Sequence, residues 1–191
     1  MRYEKGHKDL TRQRIVEVAS RQFREHGVAA VGIAGIMSDA GLTNGAFYAH
    51  FDSKEDLVRE MLSHAGFRNK LSRAAENGTG LAGAIRDYLS QNHRDNPGQG
   101  CPTSALVAEI ARHPKATRTA FTGKVDDVIE LIGAALDAET ESERRRKAVA
   151  IYALMVGTLQ LARAVNDKRL SGEILQSGAD EAIALAGYAE K

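Results

Sequence analysis

The 191-residue sequence predicts an all-α fold of about nine helices. Two observations carry this. Apolar residues recur every three or four positions along almost the whole chain, the spacing of one helical face. No stretch alternates apolar and polar residues for long enough to form a strand, and no internal repeat or low-complexity tract breaks the pattern. Apolar residues make up 43% of the chain, which allows a sizeable core in one domain, or in a small domain joined to a larger one.

The first helix is predicted over residues 11–26, where Ile15, Val18, Ala19 and Phe23 share a face and Gly27 is the stop. A short second helix carries Ile33, Ile36, Met37 and Ala40 and ends at Gly41. The third holds Leu42, Phe47 and Phe51. Asp52 or Ser53 caps a fourth, with Glu55 or Asp56 three residues on as in a capping box. That helix buries Leu57, Met61, Leu62 and Ala65 and runs to Glu76, where "ENGTG" breaks it. A fifth covers residues 81–93, and "RDNPGQG" is a loop dense in turn formers. Pro102 opens a sixth that ends near Arg112, before His113-Pro114. Phe121, Val125, Val128, Ile132 and Leu136 describe a long amphipathic helix. Thr140 and Glu143 repeat the capping pattern before a helix running to Val165, and Ser171 is the expected cap of the last.

The short third helix lies in "GLTNGAFYAHFDSKEDLV", residues 41–58, where the chain stops and restarts twice. Three short helices with a Gly-centred turn before the third are the arrangement of a helix-turn-helix. Leu42, Phe47 and Phe51 would hold the third helix to the first two. Thr43, Asn44, Ala46, Tyr48, Ala49 and His50 are left on the outside, where a recognition helix enters the DNA major groove. Gly45 lets the backbone approach a phosphate or a base, and the first amides of the helix favour phosphate. Lys54, in the first turn of the next helix, is placed to reach the sugar-phosphate backbone. Residues 1–14 hold Arg2, Lys5, Lys8, Arg12 and Arg14 against Glu4 and Asp9. Such a basic arm suits a polyanion, and equally fits a solvated terminus.

Residues 10–58 resemble the DNA-binding domain of the TetR/AcrR family of bacterial transcriptional regulators. The matching pieces are "TRQRIVEVASRQFREHG" and "IAGIMSDAGLTNGAFYAHFDSKEDL". The resemblance implies a DNA-binding domain at 1–52, with its motif at about 31–50, and a ligand-binding and dimerisation domain at 53–191. It implies a dimeric repressor, released from a palindromic double-stranded operator by a small-molecule or electrophile effector. Thr43, Gly45, Tyr48, His50 and Lys54 match family positions that contact DNA or support the contact. The chain also departs from the pattern. Asn44 stands where many members have Lys or Arg, and Ala49 replaces a second aromatic. Val31 and Gly32 replace a Thr or Ser pair, and Ala34 replaces an Arg. Over residues 27–60, Lys54 and Arg59 face Asp39, Asp52, Glu55, Asp56 and Glu60, so the motif region is net negative.

In the C-terminal part, Cys101 precedes Pro102 at a helix start, where the dipole and free amides favour thiolate. It is read either as a sensing thiol reached through the "NPGQG" loop or as a small packing residue. "GCPTSALVAEIAR" and "YALMVGTLQLARAV" resemble a branch of the family that includes thiol-based sensors. Cys101, Tyr88, Leu106, Ile110, Phe121, Val125, Tyr152, Met155 and Leu159 are the candidate pocket lining. Val149, Tyr152, Ala153, Val156 and Leu159, with Ile174, Leu175, Ala179, Ala182, Ile183 and Ala186, are the candidate dimer faces.

Other classes find little support. The six histidines are scattered without metal-ligand spacing, and there is no phosphate-binding Gly loop or nucleophile elbow, so neither an enzyme nor a metal or other cofactor is expected. The alternative is a helical adaptor or thiol enzyme that has lost DNA binding. One cysteine excludes an internal disulfide and a cysteine-built zinc site. No run approaches the ~20 apolar residues of a membrane span, and no apolar run follows the basic N-terminus as in a secretory signal. The expected compartment is the cytoplasm.

Overall fold

The computed structural model describes residues 5–62 and 66–188. Among the described residues there are ten α-helices and no strand. They are α1 (Lys5–His26), α2 (Ile33–Asp39), α3 (Lys54–Leu62), α4 (Gly66–Glu76), α5 (Gly80–Tyr88), α6 (Gln91–Asp95), α7 (Pro102–Ile110), α8 (Lys115–Gly133), α9 (Glu141–Ala164) and α10 (Lys168–Leu185). Two short 3-10 segments, Asn44–Ala49 and Pro97–Gln99, join α2 to α3 and α6 to α7.

The apolar faces close into two cores. The first gathers Ile15, Phe23, Ile36, Met37, Phe47, Phe51, Leu57 and Met61, and takes Leu106 and Ile110 from α7. The second gathers Leu81, Ile85, Tyr88, Ile132, Ile151, Tyr152, Met155, Leu159, Leu175 and Ile183 from the later helices. Turns follow the chemistry of their residues. Gly27 takes a φ of 81° and Gly41 one of 68°, left-handed values that let α1 and α2 end with a reversal. The Ser53 hydroxyl accepts the Asp56 amide at 3.1 Å, and Thr140 accepts the Glu143 amide at 3.1 Å, so both expected caps are present.

Several boundaries differ from the sequence expectation. α1 begins at Lys5, so Lys8, Arg12 and Arg14 sit on its first turns and are not a loose arm; Arg2 and Glu4 lie outside the described residues. The predicted fourth helix is described over α3 and α4, and residues 63–65 between them, Ala65 included, lie outside the described residues. The predicted fifth is also divided, because Ser90 caps a new helix by accepting the His93 amide at 3.2 Å. "RDNPGQG" is only partly loop: its first residues close α6, and Pro97 starts a 3-10 turn. α10 is capped by Asp167, whose carboxylate accepts the Arg169 and Leu170 amides at 2.8 and 3.0 Å. Ser171 lies inside that helix and is buried, donating to the Ala162 carbonyl at 2.6 Å.

Three polar ties hold the first core to the later helices. Glu109 of α7 accepts the Val28 amide at 2.9 Å and the Ala29 amide at 2.6 Å. Arg24 of α1 donates through Nε to the Gly98 carbonyl at 2.9 Å. Glu55 of α3 pairs with His113 at 3.0 Å and accepts from the Thr117 hydroxyl at 2.6 Å. Burial alone would raise the Glu55 carboxyl, but the bonds from Thr117 and His113 outweigh it and hold its pKa below the ordinary value.

Candidate nucleic-acid interface

The element between α2 and α3 is a 3-10 segment of six residues, shorter and tighter than the expected recognition helix. Thr43 is extended and its carbonyl accepts the Ala46 amide at 3.0 Å, which starts the turn; Phe47 then accepts from both His50 and Phe51. Two aromatic anchors fix it. Phe47 and Phe51 are 0% and 1% exposed and stack with ring centroids 5.5 Å apart. Leu42 is half-buried against the same core.

With those anchors inward, the opposite side faces solvent. Thr43, Asn44, Gly45, Tyr48 and Ala49 are exposed, while Ala46 and His50 are half-buried. Tyr48 is 68% exposed, edge-on to Phe47 at 5.2 Å, so its hydroxyl is presented outward on a fixed ring. Six of the seven predicted DNA-contacting residues therefore share one short surface.

The seventh does not project from it. The Lys54 ammonium donates to the Val28 carbonyl and lies 5.8 Å from the Phe23 ring centroid. It joins the start of α3 to the turn after α1. The position expected to reach the sugar-phosphate backbone is thus occupied, in the DNA-free chain, by a bond to the turn after α1. Arg12 is likewise engaged internally, donating to the His50 carbonyl and to Glu60. Lys8 stays exposed on α1. Burial, then the charges of Lys8 and Arg12, lower the His50 pKa below the usual imidazole value. The His50 Nδ1 is buried without a partner.

The predicted effector residues do not form one cluster. Leu106 and Ile110 belong to the first core, and Phe121 packs against it. Val125, Tyr152, Met155, Leu159 and Cys101 belong to the second. The grooves that indent the later helices, at Leu89 and Gln176, at Arg94 and Lys168, and at Ile129 and Arg145, contain none of these eight. The division falls along α8, where Phe121 packs against the first core and Val125 against the second.

Cys101 does stand at the start of α7, but it is 7% exposed, and the loop before it is tied down by Arg24, so the expected access is absent. Its amide donates to His93 Nε2 at 2.9 Å, while His93 Nδ1 faces the Tyr88 carbonyl at 2.6 Å. His93 is thus a neutral imidazole with its proton on Nδ1. Burial drives its pKa down to about 4. Beside Cys101 and Ser104 sits the Tyr88 hydroxyl, fully buried and without a hydrogen bond of normal geometry. Tyr152 donates to Thr103 at 2.9 Å close by. Sequence reading missed Glu109 and Arg24, whose backbone partners are distant in the chain, and His93, whose partners Tyr88 and Cys101 meet it only once the chain turns around α6.

Among the described residues no helix is long and apolar enough to cross a membrane, and no three His, Cys, Asp or Glu side chains gather as a metal site. Residues 15–61 match the profile described as bacterial regulatory proteins, tetR family. The probable HTH-type transcriptional regulator ArpR of Pseudomonas putida is 30% identical over 183 residues, covering 94% of this chain and 77% of that protein. The HTH-type transcriptional repressor NemR of Escherichia coli is 25% identical over 161 residues, 77% of this chain and 81% of NemR. In fold, a TetR-family regulator from Cytophaga hutchinsonii superposes with a TM-score of 0.77 at 20% identity, covering 99% of this chain and 100% of the other. With the aromatic-anchored segment and its outward polar face, these likenesses show that the chain belongs to the TetR family of bacterial regulatory proteins and is a DNA-binding transcriptional regulator of the helix-turn-helix class.

Proposed function

We propose that the protein is a dimeric repressor that reads a near-palindromic operator with two copies of the 43–50 surface. Residues 1–52 read DNA, and residues 53–191 dimerise and receive a small-molecule effector, in the cytoplasm. The observation that carries the reading is the division of the 3-10 segment, with Phe47 and Phe51 buried and Thr43, Asn44, Gly45 and Tyr48 free. Two-fold symmetry then sets half-sites about one helical turn, ~34–36 Å, or somewhat more apart.

The dimer reading draws on α9 and α10. Tyr152, Leu159, Leu175, Ala179, Ala182, Ile183 and Ala186 are buried within the chain, so they are not the contact. Val149, Leu161, Leu170 and Leu185 stay 40–60% exposed and offer the same two helices' outer side to a second copy. The effector reading draws on the polar cluster buried in the second core, where the Tyr88 hydroxyl lies beside Cys101 and Ser104 with no hydrogen bond of normal geometry. Burial of Cys101 favours a non-covalent ligand over an electrophile. The test is selection of duplexes from randomised DNA by the full-length protein, with footprinting and solution mass. An inverted repeat bound by two chains is expected. A single half-site bound by a monomer refutes the reading.

A further inference from the structure

We infer that Arg12 is a positioning residue for the DNA-reading segment and makes no phosphate contact. The inference rests on the assignment of residues 43–50 as the DNA face. Arg12 lies on α1, among residues whose charge alone would mark them for DNA. Its guanidinium is turned the other way. Nη1 donates to the His50 carbonyl, Nε donates to Glu60 Oε1 at 3.0 Å, and Nη2 donates to Glu60 Oε2. Its Cζ lies 4.1 Å from the centroid of the Phe51 ring. One side chain therefore joins α1, the last residue of the recognition turn, the anchor behind it and α3.

The need for such a splint follows from the segment itself. A 3-10 run has poorer hydrogen-bond geometry than an α-helix and seldom holds its shape alone. His50 leaves helical geometry, with φ −121° and ψ −33°, and its carbonyl is a helix-end acceptor that the segment cannot satisfy. Arg12 supplies that donor. Glu60 fixes the orientation of the fork, since a carboxylate and a guanidinium meet in a plane. The stacking on Phe51 sets its height. Tyr48 and His50 are thereby held at a set distance from α1 and α3 before DNA arrives. A lysine cannot do this, having neither the planar fork nor a second bonding edge.

The test compares Arg12→Lys, Arg12→Gln, Glu60→Gln and Tyr48→Ala in the full-length protein. The probe is a duplex that the wild-type protein has selected from randomised DNA, titrated by fluorescence anisotropy across a range of salt. Positioning predicts that Arg12→Lys and Arg12→Gln both weaken binding by about tenfold. The slope of log affinity against log salt stays at the wild-type value. Glu60→Gln weakens binding too, although it removes a negative charge near the DNA. A phosphate contact predicts the reverse: Arg12→Lys near wild type, a slope smaller by about one in Arg12→Gln, and tighter binding in Glu60→Gln. That pattern, or unchanged affinity in all Arg12 and Glu60 variants, overturns the inference. If an Arg12 variant fails to fold by circular dichroism, the near-isosteric Glu60→Gln carries the sign test. Should Tyr48→Ala bind as tightly as wild type, the DNA face lies elsewhere and the inference falls with it. If Tyr48→Ala is weakened while the Arg12 variants follow the phosphate pattern, only the inference is lost.

Discussion

Glu109 and Val28 are 81 residues apart in the chain, yet the carboxylate of one accepts the amide of the other at 2.9 Å. The second oxygen takes the next amide, Ala29, so an α7 side chain closes the turn that leads into α2. Replacing Glu109 with Ala leaves two amides of this turn without their acceptor. The expected loss is about 1–3 kcal/mol of folding stability, measured by urea denaturation. Since the turn sets the entry to the helix-turn-helix, operator affinity should fall with it. A variant as stable as wild type would show that water replaces the carboxylate without cost.

Phe47 and Tyr48 are adjacent in sequence and opposite in environment. Phe47→Ala should cost ~3–5 kcal/mol, the range for a fully buried aromatic. Tyr48→Ala should change stability by no more than about 0.5 kcal/mol, as exposed positions do, and should weaken operator binding. Thermal melts and anisotropy separate the two. Equal destabilisation would place Tyr48 in the core.

Of the two lysines whose positions in sequence suit a polyanion, Lys8 and not Lys54 should carry the phosphate contact. Lys54 is tied to the Val28 carbonyl, so Lys54→Ala should lower stability and leave the salt slope of DNA binding unchanged. Lys8 is exposed and its charge reaches His50, so Lys8→Ala should reduce the slope by about one. A reduced slope for Lys54→Ala would mean that its ammonium leaves Val28 when DNA binds.

Stability should fall as the medium is acidified through the range set by His93. In the unfolded chain its imidazole titrates near 6.5, and in the fold at about 4. Between those values the unfolded state binds more protons, so stability is complete above 6.5 and is lost as pH drops toward 4. The total is about 3 kcal/mol from this group. His93→Gln, which can still accept from the Cys101 amide, should flatten that part of the profile. A wild-type profile that is level from pH 7 to 5 would contradict the buried neutral imidazole.

Most helices and the recognition segment were legible because they depend on local signals. Ser53, Thr140, Gly27 and Gly41 each act within a few residues of themselves, and the pairing of Phe47 with Phe51 follows from a four-residue spacing. What escaped depends on partners across the fold. Nothing in the neighbourhood of Arg12 or Lys54 says that a carbonyl stands closer than a phosphate. Asp167 rather than Ser171 caps α10 because a carboxylate two residues before the first amide accepts from two donors. α8 reads as one apolar stripe, whereas Phe121 faces the first core and Val125, Val128 and Ile132 face the second, and periodicity alone does not say which core is the neighbour.

The engagement of Arg12 and Lys54 has a genomic consequence. Non-specific attraction to a duplex is largely counterion release, and it scales with the number of phosphates that a protein neutralises. A motif region of net negative charge that has turned Arg12 and Lys54 inward keeps less of this, with Lys8 and Arg14 left exposed beside it. On the proposed DNA face, the salt-dependent share of binding to random sequence should be smaller than the cation count of α1 and α3 suggests. On that proposed face, discrimination between site and background would rest on how well Thr43, Asn44 and Tyr48 fit a few base edges.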